Sequence, residues 1–108
     1  MKGMGGGGMA QLMKQANQMQ LKMKKTQEEI GKQEFTGTSG GGAVTTVVTG
    51  DNKLVSVKFN PDVFKSGDAE MLEEMVVSAT NDALKLAKET MAKEMEKITG
   101  GMGIPGMF

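Results

Sequence analysis

The sequence predicts an α+β protein in which two long helices flank a three-stranded antiparallel meander. Residues 9–30 carry apolar or small side chains at alternating steps of three and four, the spacing of a helix that packs along one edge. Residues 33–60 hold three short runs with strand-like composition, separated by turns rich in glycine. A second apolar stripe of helical period begins after residue 68 and continues to residue 99. We therefore expect one domain over 9–99, with flexible Gly/Met tails at 1–8 and 100–108.

The first helix is predicted to run from near Met9 to Gly31 or Lys32. Gly31 follows the last residue of the periodic pattern, and glycine is a common stop at the end of a helix. The apolar seam extends over about three heptads, so another helix is expected to lie against it. Its residues are Met9, Leu12, Ala16, Met19, Met23, Thr26 and Ile30.

Three strand candidates follow the first helix, at 33–38, 43–49 and 53–60. The middle candidate, AVTTVVT, is dense in β-branched residues, and Gly50-Asp51-Asn52 after it reads as a turn. The third candidate alternates, so Val55, Val57 and Phe59 are expected to share one apolar face. The segment Asn60-Pro61-Asp62 is expected to close the sheet as a corner.

The second helix is predicted to start near Asp68 or Ala69 and to end at Thr99, with Ser66 or Asp68 as its N-cap. At about 1.5 Å per residue it would be about 45 Å long, too long for one three-stranded sheet to cover. Part of this helix should therefore protrude or meet a second chain. Its apolar stripe consists of Leu72, Met75, Val76, Ala79, Ala83, Leu86, Ala87, Met91, Met95 and Ile98.

Charge is balanced overall but divided along the chain. Formal net charge is zero, whereas residues 1–32 sum to +4 and residues 62–98 sum to −4. All the basic residues are lysines, and arginine is absent. Because lysine lacks the planar fork that reads guanine edges, any binding to nucleic acid should rest on phosphate contacts with little sequence specificity.

The composition argues against an enzyme. His, Cys, Tyr and Trp are all absent, which removes the usual general base near neutral pH and the commonest metal ligand. The two GxGxxG matches, in the Gly-rich tails, lack the flanking strand or helix that dinucleotide binding requires. No apolar run approaches the roughly 20 residues of a membrane span. We expect no catalytic residues, cofactor, metal or small-molecule substrate, no membrane partner, and a location in the cytoplasm.

The polar side chains of the first helix are the candidate binding site for double-stranded DNA. Its lysines would contact phosphates, and its amides would add hydrogen bonds; the simpler alternative is a solvated helix face. A second alternative is a scaffold or chaperone-type adaptor that grips protein partners through its methionine-rich seams. Lys53 and Lys58 of the third strand candidate are secondary candidates. The primary DNA-binding candidates are Lys14, Lys22, Lys24, Lys25, Lys32, Gln11, Asn17 and Gln18.

Seven short segments, in order along essentially the whole chain, point to a known family. They are MAQLMKQA at 9–16, MKKTQEEI at 23–30, TGTSGGG at 36–42, NPD at 60–62, EMLEE at 70–74, ATNDA at 79–83 and PGMF at 105–108. Together they resemble the YbaB/EbfC family of small bacterial nucleoid-associated proteins.

The resemblance implies an α-β-β-β-α protomer that forms a homodimer, with long helices projecting from a central sheet like tweezers. It further implies that the dimer binds DNA, alters its conformation at the nucleoid, and has no active site. The basic residues of the family carry over to the first-helix lysines. Relatives often place arginines in the third strand and second helix, so their absence here implies weaker or less selective binding.

Overall fold

The order of the helices and strands confirms the predicted α+β fold and adds one short helix. A computed structural model describes residues 2–100, with side chains from residue 8 onward. Its Cα atoms extend over 78 × 25 × 16 Å, so the chain is elongated. The elements are α1 (Lys2–Lys32), β1 (Glu34–Ser39), β2 (Val44–Thr49), β3 (Leu54–Phe59), α2 (Pro61–Ser66) and α3 (Ala69–Thr99).

The sheet is an antiparallel meander in the order β1-β2-β3, as predicted. Its central strand β2 alternates between a buried face, with Val44, Thr46 and Val48, and a partly exposed face. Phe35 of β1 lies opposite Val48, and Phe59 of β3 lies opposite Val44. Both edges of the sheet, β1 and β3, therefore have one side without a strand partner.

The predicted apolar face of β3 is wrong at one position. The register between β2 and β3 shifts between Val47 and Val48, where Ser56 pairs with Val47 but Leu54 pairs with Val48. Val55 is therefore the extra residue of a bulge, and its side chain is more than half exposed. The bulge interrupts the alternation on which the sequence prediction depended.

Helix α3 covers the sheet through small residues that allow close approach. Ala79, Ala83 and Ala87 recur every four residues along one face and are fully buried. Gly37 of β1 lies directly below, and a Cβ there would overlap the carbonyl oxygen of Ala79 and the backbone nitrogen of Ala83. The Ser39 hydroxyl also donates to the carbonyl of residue 75 at 2.7 Å. These contacts fix the position of α3 on the sheet.

The start of α3 confirms the predicted N-cap. The Asp68 carboxylate accepts a hydrogen bond from the backbone nitrogen of Met71 at 2.7 Å, which satisfies one free donor of the first turn. One residue of the predicted stripe is misplaced, because Leu86 is 46% exposed. It lies one position before the buried Ala87, so the helical rotation between neighbours turns it away from the sheet.

Helix α2 replaces the predicted corner after the sheet. The Asn60 side chain accepts from the backbone nitrogens of Asp62 and Val63, at 2.9 and 3.4 Å, and Pro61 occupies the first helical position. Asn at the N-cap followed by Pro is a strong helix start, although six residues gave too little periodicity to predict one. The helix holds Phe64 edge-on against Phe59, with ring centroids 5.4 Å apart.

Helix α1 packs against α3 along only part of its seam. Ile30 is buried in the core, whereas Thr26, Met23 and Met19 become partly exposed toward the N-terminus. Met19 lines a groove with Ile98, so α3 ends beside it. The excess length of α3 therefore meets α1 of the same chain. Residues 8–18 of α1 are all exposed, and we refer to them as the arm.

The two predicted tails differ in how they relate to the described residues. Helix α1 begins at Lys2, seven residues before the predicted start at Met9. Residues 101–108 lie outside the described part of the chain, and the flexibility of both tails stays a prediction.

Candidate nucleic-acid interface

All eight predicted DNA-binding residues lie on α1 and are exposed to solvent. The exposure of these residues follows from the seam. Helix α1 turns Ile30, Met23 and Met19 toward α3, and its other sides face solvent. The eight side chains do not share one face, however. They divide into a central stripe and two flanks.

The central stripe contains three lysines that align on the side away from α3. Lys14, Lys25 and Lys32 are separated by eleven and seven residues, which correspond to about three and two turns of helix. At about 1.5 Å per residue, the outer two Cα atoms are about 27 Å apart. Gln11 and Gln18 continue the heptad row of Lys25 and Lys32 onto the arm, and Gln18 also borders the groove that contains Met19 and Ile98.

The remaining three candidates flank this stripe on opposite sides. Asn17 and Lys24 are seven residues apart and lie together on one flank. Lys22 lies on the other flank and lines the groove that contains Met19 and Ile98. Because Lys22 and Lys24 differ by about 200° around the helix axis, they cannot contact the same straight row of phosphates.

The α1 lysines carry their charge unpaired. The ion pairs among the described residues involve Lys53 and Lys97, whereas none of the five candidate lysines of α1 pairs with a carboxylate there. Glu28 and Glu29 interrupt the positive surface between Lys25 and Lys32. The acidic residues of α2 and early α3 lie beside the sheet, away from the arm, so charge is divided along the long axis.

The two secondary candidates lie in different surroundings. Lys58 is exposed on β3, where it pairs in register with Thr45 on the sheet face that α3 leaves open. Lys53 belongs to the turn before β3, and its Nζ lies 3.9 Å from a carboxylate oxygen of Asp51. Lys88 of α3, which no sequence pattern marks as a binding residue, also lies near this turn. No spacing in the sequence could have joined Lys88 to residues 50–53.

A second exposed surface is apolar and lies at the free edge of β3. Leu54, Val55, Phe64 and Val77 are each more than half exposed, although all four are large and apolar. Phe64 and Val77 border a groove of about 460 Å³, which is lined mainly by apolar side chains of β3, α2 and α3. We call these four residues the edge surface.

Comparison with known proteins gives this geometry its context. The family model described as the YbaB/EbfC DNA-binding family matches residues 4–102. The chain belongs to this family. The match confirms the predicted resemblance, and it includes the whole of β1–β3 and α3 together with nearly all of α1.

Similar bacterial proteins support the same assignment to the YbaB/EbfC family. A nucleoid-associated protein of Clostridium kluyveri is 50% identical over 104 residues, which cover 96% of this chain and 91% of that protein. A nucleoid-associated protein of Clostridium acetobutylicum is 48% identical over 105 residues, covering 97% and 94%. The crystal structure of an uncharacterized protein from Helicobacter pylori is 24% identical, with a TM-score of 0.69, and covers 84% of this chain and 96% of its own. That structure supports the YbaB-like fold.

Other kinds of site are not visible in the described residues. Within residues 2–100, no helix is both long and apolar enough to cross a membrane. In the same range, no three acidic side chains lie close enough together to hold a metal ion.

Proposed function

We propose that the protein binds double-stranded DNA as a homodimer with little sequence specificity, and that it acts at the bacterial nucleoid. Binding alters the conformation of the DNA, and through it nucleoid organisation and gene expression. The observation that carries this proposal is the stripe of Lys14, Lys25 and Lys32, exposed and unpaired on the side of α1 away from α3. Membership of a DNA-binding family supports it.

The stripe suits the phosphate backbone better than the bases. Lysine ammonium groups are compact point charges on flexible stems, and they hold phosphates without selecting a base sequence. The stripe is about 27 Å long, somewhat shorter than one turn of B-DNA at about 34 Å. The stripe on one α1 helix therefore spans most of a turn, and the lysines on the flanks of the helix contact a neighbouring strand or groove edge.

Dimerisation through the edge surface would supply two such helices. A free strand edge with exposed apolar residues favours pairing with another chain. Such pairing would bury Leu54, Val55 and Phe64 and would provide hydrogen-bond partners for the free backbone groups of the edge. A two-fold axis at this edge places the same residues of both protomers in contact. The two arms then extend from a joint central sheet, in agreement with the tweezer-like arrangement.

The DNA-binding proposal is tested by fluorescence anisotropy with a random-sequence duplex across a salt series. If the dimer engages about six phosphates, log affinity should fall against log salt with a slope of about −5. A variant with Lys14, Lys24, Lys25 and Lys32 changed to Gln should bind more weakly and with a flatter slope. Changing Lys65 and Lys93 to Gln provides a control in exposed lysines outside α1. Absence of wild-type binding at low salt would refute the proposal.

The dimer proposal is tested by sedimentation equilibrium. Wild-type protein should sediment as a dimer, and Val55→Glu with Val77→Glu should produce monomers by placing charges in the edge surface. Leu86→Glu is a matched control, because Leu86 is an exposed apolar residue of α3 outside that surface. A wild-type monomer at all concentrations, or dimers of the charged variant, would contradict the interface.

One observation favours the adaptor as a second candidate function. Met9, Leu12 and Met13 on the arm are each at least 60% exposed, which leaves an apolar row open to a protein partner. An adaptor of this kind would show negligible DNA binding at physiological salt. Met9→Gln and Met13→Gln would weaken its binding to the protein partner, whereas the lysine substitutions would leave that binding unchanged.

A further inference from the structure

Lysines from three elements surround the turn between β2 and β3, and we propose that they form a second contact site for the DNA phosphate backbone. The three residues are Lys32 of α1, Lys53 of the turn and Lys88 of α3, which we call the basic corner. The inference rests on the proposed function and adds one residue of α3 to the DNA-binding surface.

The turn is held against the end of α1 by two backbone hydrogen bonds. The nitrogen of Asp51 donates to the carbonyl of Gly31 at 3.2 Å, and the nitrogen of Gly50 donates to the carbonyl of Gln33 at 3.0 Å. A Cβ at Gly50 would overlap the carbonyl oxygen of Ile30, so the approach requires glycine. These contacts hold Lys53 beside the end of α1, where Lys32 is exposed.

Helix α3 reaches the same turn from the other side. Lys88 lines an open cleft of about 700 Å³ together with Gly50 and Asn52, and its floor is apolar. Asn52 has a φ of 68°, and its nitrogen donates to the carbonyl of Thr49 at 3.0 Å. The left-handed conformation completes a tight turn, in which Asn52 lines the cleft and Lys53 is the next residue of the chain.

Charges at the corner favour an anion. Asp51 is the carboxylate of the turn, and it accepts a hydrogen bond from the Thr49 hydroxyl. Its pair with Lys53 is long, at 3.9 Å, and both side chains are at least half exposed. Exposed pairs of this kind contribute little, so a phosphate can recruit Lys53 at small cost. Asp51 then weakens phosphate binding, because its charge opposes the approaching anion.

The corner extends the α1 stripe instead of forming an isolated patch. Lys32 ends the stripe at the last residue of α1, and the turn touches the backbone one residue before it. A duplex that follows the stripe from the arm to Lys32 therefore arrives at the turn that carries Lys53, and Lys88 lies across that turn, on the side of α3. Binding at both places would fix the angle between α1 and the DNA, since two separated contacts resist rotation better than one.

The test compares salt-dependent anisotropy of the full-length protein and two double variants on a random-sequence duplex. Changing Lys53 and Lys88 to Gln should reduce the salt slope by about 0.9 for each lost phosphate contact, and affinity at 0.1 M salt by about eightfold per contact. Changing Lys65 and Lys93 to Gln removes the same charge elsewhere and should leave most of the slope intact. Equal unfolding midpoints would show that all variants are folded.

Asp51→Asn provides a test with the opposite sign. Asparagine retains an oxygen acceptor for the Thr49 hydroxyl and removes the negative charge, so DNA affinity should increase severalfold. Unchanged binding by the Lys53/Lys88 variant, with loss of binding by the α1 lysine variant, would overturn the basic corner and leave the proposed function standing. Failure of wild-type protein to bind DNA would refute both.

Discussion

Helix α3 makes two contacts of different kinds, one with the sheet and one with α1. Against the sheet it presents Ala79, Ala83 and Ala87, all fully buried and close enough to β1 that Gly37 has no room for a side chain. Against α1 the contact is buried at Ile30 and continues toward the arm through Met23 and Met19, which remain partly exposed. Small residues specify one position, whereas flexible methionines accept several.

The contact of α3 with the sheet and its contact with α1 therefore have different roles. The alanine–glycine contact determines the fold, because backbone atoms meet backbone atoms and leave no freedom for repacking. The methionine contact holds an element whose exposed side carries Lys14, Lys25 and Lys32. We therefore expect α1 to adjust its angle to a bound duplex while the sheet and α3 stay fixed.

The largest effect is expected where α3 touches β1. Gly37→Ala places a Cβ against the Ala79 carbonyl oxygen and the Ala83 nitrogen, which cannot move aside as a flexible side chain would. Stability should fall by about 3 kcal/mol, at the upper end of the usual cost of overpacking. Urea unfolding monitored by circular dichroism measures the loss. Thr38→Ala, at an exposed position next to it, should have little effect, and equal losses would contradict the close-contact explanation.

An alanine series along the α1 seam should show the contact weakening toward the arm. Ile30→Ala removes a buried side chain and should cost about 3 kcal/mol, whereas Met23→Ala at a partly exposed site should cost about 1 kcal/mol. Leu12→Ala should cost almost nothing, because Leu12 is 64% exposed. Urea midpoints of the three variants test this order. A cost at Leu12 comparable to that at Ile30 would mean that the arm is covered in solution.

Patterns in the sequence predicted the elements that carry their own local signals. The Asp68 cap, the β-branched run of β2 and the seam up to Ile30 each depend on residues close in sequence, so their periods and caps are readable directly. Helix α2 was too short for a period, although its Asn60 cap and Pro61 were present. The bulge at Val55 depends on strand pairing, which no local pattern records.

Local sequence patterns likewise predict one part of the candidate site, whereas another part depends on the tertiary structure. That the α1 lysines are exposed follows from the seam, since residues away from it face solvent. Their separation into a stripe and two flanks follows from helix geometry. The basic corner does not, because Lys88 reaches the turn only after α3 has folded across the sheet. Binding by any of these residues stays a prediction until it is measured.

The smallest effect is expected on the arm itself, because all its side chains are exposed and its helix depends mainly on helix propensity. A methyl group at Gly8 would meet no atom within 4 Å beyond its own stretch of helix, so Gly8→Ala introduces no clash. Alanine is more favourable than glycine inside a helix by roughly 0.8–1.0 kcal/mol. Amide hydrogen exchange should therefore slow in residues of the arm, whereas the urea midpoint of the whole protein should not move, because local opening of the arm is separate from global unfolding. A midpoint that rose by the full amount would mean that the arm unfolds together with the sheet and α3, and that the two contacts of α3 belong to a single cooperative unit.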